Sequence, residues 1–229
     1  MVDQGPLLAR GRDADIYDLG AELVLRRARD GRSLAAEAAV MAHAHNWGVP
    51  VPAVHEVTED GAIVMDRIAG PLLLDQLSRR PWRLGAAART LVELHAAVHR
   101  VPAPPGVRAS GLTGDRLLHL DLHPLNVVLS ADGPVLIDWS NARSGPPAAD
   151  LAMTWILLAT GAVDGRWPVR AATAVFRRRM VTSFLAGVDR PGAAATLPEV
   201  ARWRLADPNV TAVEAAQVRS LTRRVSRHP

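Results

Sequence analysis

Along the first seventy residues, apolar and polar positions alternate in short runs broken by turn residues, which is the pattern of half-buried strands. The spacing predicts strands at Leu7 to Ala9, Asp15 to Leu19, Leu23 to Arg27, Val54 to Val57 and Ala62 to Ile68. Gly20, Asp30-Gly31 and Asp60-Gly61 mark turns between them. Between the third and fourth strands Ser33 is placed to cap a helix running through EAAVMAH and stopping near Asn46, Gly48 and Pro50. Beyond residue 72 the period changes to that of helices. Leu84, Ala88, Leu91, Leu94 and Val98 keep one face, and further helices are expected over 148–160, 168–187, 196–204 and 210–226. A small antiparallel sheet with one helix, followed by a larger helical part, is an α+β chain of two lobes. We expect residues 1–70 to form the first lobe with its hinge, residues 71–229 to form the second, and a ligand to lie in the cleft between them.

Composition narrows the chemistry. The chain has 229 residues, 48% of them apolar, enough for one sizeable core or two small lobes sharing a cleft. It has no cysteine, which excludes disulfides, cysteine-based zinc sites and thiol catalysis. There is also no lysine, so a computed pI near 10.9 accompanies a net charge of only +4. The arginines are scattered, with one run at Arg177, Arg178 and Arg179 and no aromatic interleaving, so a nucleic-acid partner is not expected. The polar N-terminal stretch and the interrupted apolar runs give no signal peptide or membrane span, and a soluble cytoplasmic protein is expected.

The segment HLDLHPLNVVLSADGPVLIDW, residues 119 to 139, carries the most chemistry. The turn Ala131-Asp132-Gly133 would fold Val127 to Leu129 against Val135 to Ile137, bringing Asn126 and Asp138 to the same end of a hairpin, near Asp121. Amide and carboxylate oxygens so placed suit Mg²⁺, which takes few protein ligands and shares the rest with water and phosphates. Phosphoryl transfer needs, besides the metal, a group to orient an attacking hydroxyl and accept its proton. Asp121 is the candidate.

These residues resemble a known family. His119, Asp121, His123 and Asn126, then Ile137-Asp138-Trp139 and Asp150, are similar to the catalytic core of the aminoglycoside phosphotransferases and choline kinase-like small-molecule kinases, which have a protein kinase-like fold. The resemblance implies an ATP- or GTP-dependent transfer to a small hydroxylated acceptor. It assigns Asp121 as catalytic base, Asn126 and Asp138 as Mg²⁺ ligands, and His119 and Asp150 as supports of the catalytic loop. Where the family often has glycine, this chain has Leu120. Upstream, GRDADIYDLG would be the phosphate-covering loop bracketed by Gly11 and Gly20. Arg26 of LVLRRA stands where the family has a phosphate-binding lysine, with Arg27 the alternative, and Glu37 would be its partner. Arginine keeps the charge and binds phosphate in a fork, but is bulkier than lysine. The segment AIVMDRIAG implies a hinge at which Asp66 to Ile68 hold adenine through backbone groups.

Other classes fit less well. A protein kinase would carry lysine where His123 stands, and the dozen residues from Asp138 to Asp150 leave little room for an activation segment. A nucleotide-binding relative that has lost catalysis is a second alternative, motivated by the missing lysine. Neither G-x-S-x-G nor G-x-x-x-x-G-K-[ST] occurs, which removes two hydrolase classes. His95 is expected to be a buried structural histidine, and Trp139 and Trp155 to pack the core. Asp164, Asp189, Glu199, Asp207 and Glu214 are acids that could draw a cationic acceptor, or could simply be solvated.

Overall fold

A computed structural model of the chain describes residues 5–11, 13–160 and 167–227. Its N-terminal part is a five-stranded antiparallel sheet in the order β1-β2-β3-β5-β4, built from β1 (Leu7–Arg10), β2 (Ala14–Gly20), β3 (Leu23–Ala28), β4 (Val54–Val57) and β5 (Ile63–Asp66). Alternation along β3 sets its two faces. Val24 and Ala28 join the main core, while Leu25 joins Ala62 and Val64 in a small cluster on the other face. Arg26 therefore shares a face with Val24, as the period of two requires. Helix α1 (Ala35–Asn46) begins as the sequence suggests, but Leu34 is its N-cap residue. Ser33 lies one position earlier, and its Oγ accepts from Ala35 N–H at 3.2 Å.

The rest of the described chain is mainly helical: α2 (Leu73–Arg79), α3 (Leu84–His99), α4 (Pro147–Thr160), α5 (Trp167–Leu185), α6 (Arg190–Ala206) and α7 (Ala212–Arg227). Helix α6 starts six residues before the expected 196. Asp189 accepts from Gly192 N–H at 3.1 Å, and Pro191 is tolerated in the first turn, where a missing N–H costs nothing. Two short ribbons interrupt the helices. Strands β7 (Val127–Ser130) and β8 (Gly133–Leu136) form the expected hairpin, and β6 (Arg116–Leu118) pairs with β9 (Arg143–Gly145), a pairing the sequence pattern does not announce. No helix among the described residues is long and apolar enough to cross a membrane.

The two parts meet where the chain leaves the sheet. Gly70 has φ 148, and a Cβ there would collide with the carbonyl of Leu129 in β7, so only glycine lets the chain pass this close. Next to it Leu129 N–H donates to Pro71 O at 2.9 Å, and Leu136 N–H to Pro50 O at 2.8 Å. These bonds fix the hairpin, and with it the site, against the edge of the N-terminal part.

Candidate active site

The hairpin places the oxygen donors. Val127 pairs with Leu136, and Ile137 N–H donates to Asn126 O at 2.9 Å, so Asn126 and Asp138 emerge side by side. The Asn126 amide donates through Nδ2 to Asp121 O at 2.8 Å and to Asp121 Oδ2 at 3.1 Å, leaving its Oδ1 without a hydrogen-bond partner among the described residues. Asp138 Oδ1 accepts from the Ser140 hydroxyl at 2.9 Å and from Arg26 Nη2 at 2.9 Å. Its Oδ2 has no such partner among the described residues. One free amide oxygen and one free carboxylate oxygen are a donor set that fits Mg²⁺. Burial works against the charge on Asp138, but Arg26, Ser140 and His119 outweigh it and hold the carboxyl below its ordinary value.

Arg26 ties the two parts together. Its Nη2 is 3.1 Å from Glu37 Oε1 as well as 2.9 Å from Asp138, while Arg27 turns away to pair with Asp60. Burial raises the pKa of Glu37 despite the opposing pull of Arg26. Arg26 Nε is buried without a hydrogen-bond partner. A buried donor left unmade is costly, and a phosphate oxygen would satisfy it.

A cavity of about 330 Å³ opens here, with Arg26, Glu37, Asn126 and Asp138 at one side and Asp66 and Ile68 in its wall. Leu8, Ile16, Val24 and Val128 give it apolar surface suited to a flat base. At the expected hinge, Asp66 N–H is taken by Ala53 O and Arg67 N–H by Glu22 O. That leaves Ile68 N–H as the hinge amide without such a bond among the described residues. Gly11 sits in the tight β1–β2 turn, its N–H on Ala14 O at 2.9 Å, and does not line the cavity. Gly20 belongs to the next turn, at the other end of β2, so the two glycines do not bracket one loop.

The loop carrying Asp121 is clamped from below. Asp150, in the first turn of α4 and fully buried, accepts from His119 N–H at 2.9 Å and Leu120 N–H at 2.7 Å. Leu120 has φ 59, the left-handed conformation that the glycine of related loops adopts freely. His119 Nε2 donates to Ile137 O at 3.2 Å, its Nδ1 accepts from Asp121 N–H at 3.2 Å, and its ring packs edge-on against Trp139 at 4.8 Å. His99 Nε2 donates to Asp150 Oδ2 at 3.0 Å. His95 is buried, donating to Thr154 Oγ1 at 2.9 Å while that hydroxyl donates to Leu122 O, the structural role expected of it. The contribution of His99 escaped the sequence reading, although His95 and His99 share one helix face at a spacing of four. Trp139 and Trp155 are both buried.

Asp121 looks the other way, into a second cavity of about 450 Å³ beneath the C-terminal end of α6. The Asp121 carboxylate thus stands between the metal-type donors and a separate space. The acids that could have drawn a cation, or could have been merely solvated, are engaged within the protein. Asp207 and Glu214 both bind Arg204, Glu199 pairs with Arg202, and Asp189 caps α6. Asp164 lies outside the described residues.

With this geometry in place, comparison with known proteins gives one consistent answer. A model of the phosphotransferase enzyme family matches residues 5–117 and 113–178. A probable serine/threonine-protein kinase BUD32 homolog of Archaeoglobus fulgidus is 30% identical over 127 residues, 56% of this chain and 51% of that protein. The chain thus spans about half the length of that curated relative. Among solved structures, a choline/ethanolamine kinase family protein from Mesorhizobium loti is 19% identical with a TM-score of 0.55, covering 98% of this chain and 89% of that one. An ADP-bound aminoglycoside phosphotransferase APH(2'')-Ib is 14% identical with a TM-score of 0.62, covering 99% and 92%. The streptomycin–ATP complex of APH(2'')-IIa is 14% identical with a TM-score of 0.59, covering 88% and 84%. At these identities the likeness speaks for the fold, which is the two-lobed, protein kinase-like one.

Proposed function

Because the chain belongs to the phosphotransferase enzyme family, we propose that it moves the γ-phosphoryl group of ATP or GTP to a hydroxyl group of a small molecule. Residues 1–70 act as the nucleotide-binding lobe and residues 71–229 as the lobe of the catalytic loop and acceptor. One observation carries the reading. Asp121, Asn126 and Asp138 converge at the mouth of one hairpin, with a nucleotide-sized cleft on one side and a separate cavity on the other.

In this reading Asp121 takes the proton of the acceptor hydroxyl and holds its oxygen toward the γ-phosphorus. Asn126 Oδ1 and Asp138 Oδ2 hold Mg²⁺, which when bound offsets the charge of the phosphates. Arg26 binds phosphate oxygens through Nε and its free amino edge, and Glu37 keeps it extended across the lobe. Asp66 to Ile68 hold the base, the Ile68 N–H being the donor at hand, and Gly11 lets the β1–β2 turn close tightly. Asp150 and His119 fix the loop so that Asp121 needs no rearrangement. The BUD32 relative favours a second reading, transfer to a protein hydroxyl. Against it, the chain between Asp138 and Asp150 is occupied by β9 in its ribbon with β6 and extends no segment on which a polypeptide could lie.

Titration calorimetry with ATP and with GTP, with and without Mg²⁺, tests the site. Wild type should bind nucleotide more tightly with the metal, and Asp138→Ala should lose that difference. Equal affinities in all four measurements would remove the metal site and the mechanism with it.

A further inference from the structure

The carboxylates of the cavity beside Asp121 are already engaged, whereas the side chains of Arg143 and Asn141, which also line it, make no hydrogen bond among the described residues. Asp207 Oδ2 takes Arg204 Nη1 at 3.0 Å and its Oδ1 takes Asn209 N–H at 2.9 Å. Behind it, Glu214 binds the same arginine at 2.7 and 2.8 Å. Asp121 is engaged by Asn126. Arg143, on the same wall, makes no ion pair and no side-chain hydrogen bond among the described residues. The charge that bears on it is a like one. Partial burial first, and the nearby Arg108 second, lower the pKa of Arg143.

Arg143 is held in place by its backbone. It pairs with Leu118 in the β6–β9 ribbon, three residues before Asp121, and the next residue donates to Arg108 O at 2.9 Å. The Arg143 backbone is thus fixed relative to the loop that carries the candidate base, and both side chains line one cavity. Leu120, Met153 and Trp203 supply apolar surface to the same cavity.

We propose that Arg143 sets acceptor specificity, and that the acceptor is a compact hydroxy compound bearing an acid group, carboxylate or phosphate, seated on the Arg143 fork with its hydroxyl toward Asp121. This rests on the phosphotransferase reading and narrows it. A carboxylate or phosphate satisfies two parallel N–H donors at once, and a cationic acceptor would meet Arg143 with repulsion. In the transfer, the acceptor oxygen forms its bond to the γ-phosphorus as its proton goes to Asp121. The bond from that phosphorus to the bridging oxygen breaks, and the nucleoside diphosphate leaves with the electron pair.

Hydroxy compounds of similar size and different charge test this. ADP release is followed with the full chain, ATP and Mg²⁺ on glycerate, glycerol and 3-amino-1,2-propanediol, and on gluconate, glucose and glucosamine. The acid of a set should exceed its neutral and cationic counterparts by about tenfold or more in kcat/KM, the worth of a charge-assisted pair. Arg143→Gln should collapse that ratio mainly through KM. A preference for neutral or cationic members, or a ratio unchanged in Arg143→Gln, overturns the proposal. Independently of turnover, inorganic phosphate is titrated into protein saturated with a non-hydrolysable ATP analogue and Mg²⁺. Phosphate should bind wild type about tenfold or more tightly than Arg143→Gln, and equal affinities, or no binding to either, again overturn it. If the analogue itself fails to bind, the phosphotransferase reading falls, whatever Arg143 does.

Discussion

At Asp121 one carboxylate oxygen is held by the Asn126 amide, while the other faces His123 Nε2 at 3.4 Å. His123 Nδ1 accepts from Leu125 N–H at 3.3 Å, so its Nε2 carries the proton and points it at Asp121. Both contacts orient the carboxylate without consuming its ability to take a proton. A group used only as the reaction proceeds should show in rate and not in nucleotide binding. Asp121→Asn should therefore lower turnover by about 10²–10⁴-fold, the usual span for general base catalysis, with nucleotide affinity unchanged. Transfer at the wild-type rate by a folded Asp121→Asn protein would remove Asp121 from the mechanism. Arg26 behaves differently because one of its nitrogens serves Glu37 and Asp138 together. Glu37→Gln should weaken nucleotide binding by less than Arg26→Gln does, since it loosens the arginine without removing it.

Among the elements, the hairpin of β7 and β8 was legible because a two-strand turn fixes its own register, and the register alone puts Asn126 beside Asp138. The pairing of Arg26 with Glu37 was legible for the same kind of reason, a strand period of two setting which side chain faces α1. Helix α2 and the ribbon of β6 with β9 were not. Seven residues give no clear helical period, and three-residue strands paired across 24 intervening positions are decided by tertiary packing rather than local pattern. Arg143 was hidden with β9. Leu120 shows two opposed effects at one position. Its left-handed backbone costs about 1–2 kcal/mol relative to glycine, but its buried side chain is worth about 3 kcal/mol or more once the cavity left by its removal is included. Burial wins, so Leu120→Gly should lower stability by about 1–3 kcal/mol in urea denaturation. A more stable Leu120→Gly protein would mean that backbone strain dominates this loop.

At the scale of the whole molecule, Asp150 is the point where separate parts of the helical lobe converge. It is on α4, it binds two backbone amides of the loop that carries Asp121, and it lies against His99 and His95 of α3. Burial alone would raise its pKa. The neighbouring His95 and His99 hold it well below the ordinary value of 3.8. Burial also lowers the pKa of His95 and of His119 below the ordinary 6.5, in spite of the nearby Asp150 charge. All three shifts have the same consequence. A group whose pKa is lower in the folded chain than in the unfolded one lends stability above the unfolded value, and that stability is lost as the pH falls through the folded value. Stability should therefore decline in two stages, first as the pH drops below about 6.5, when unfolded histidines gain protons that His95 and His119 refuse. The second stage begins below about 3.8, as protonation of the unfolded chain erodes the contribution of Asp150. Asp150→Asn keeps the shape but loses the charge, and should cost about 3 kcal/mol near pH 7, where two charge-assisted bonds to the loop are weakened. Asp150 is in contact with His95 and His99, so the difference between the two proteins reports Asp150 together with its effect on the histidines around it. Urea denaturation from about pH 8 to about pH 3 measures it. The gap between wild type and Asp150→Asn should widen as the pH falls below about 6.5, because His95 and His119 lose the carboxylate that favours their protonation, and should shrink below about pH 4. Curves that run parallel to the lowest pH would mean that the Asp150 charge is not what holds the catalytic loop.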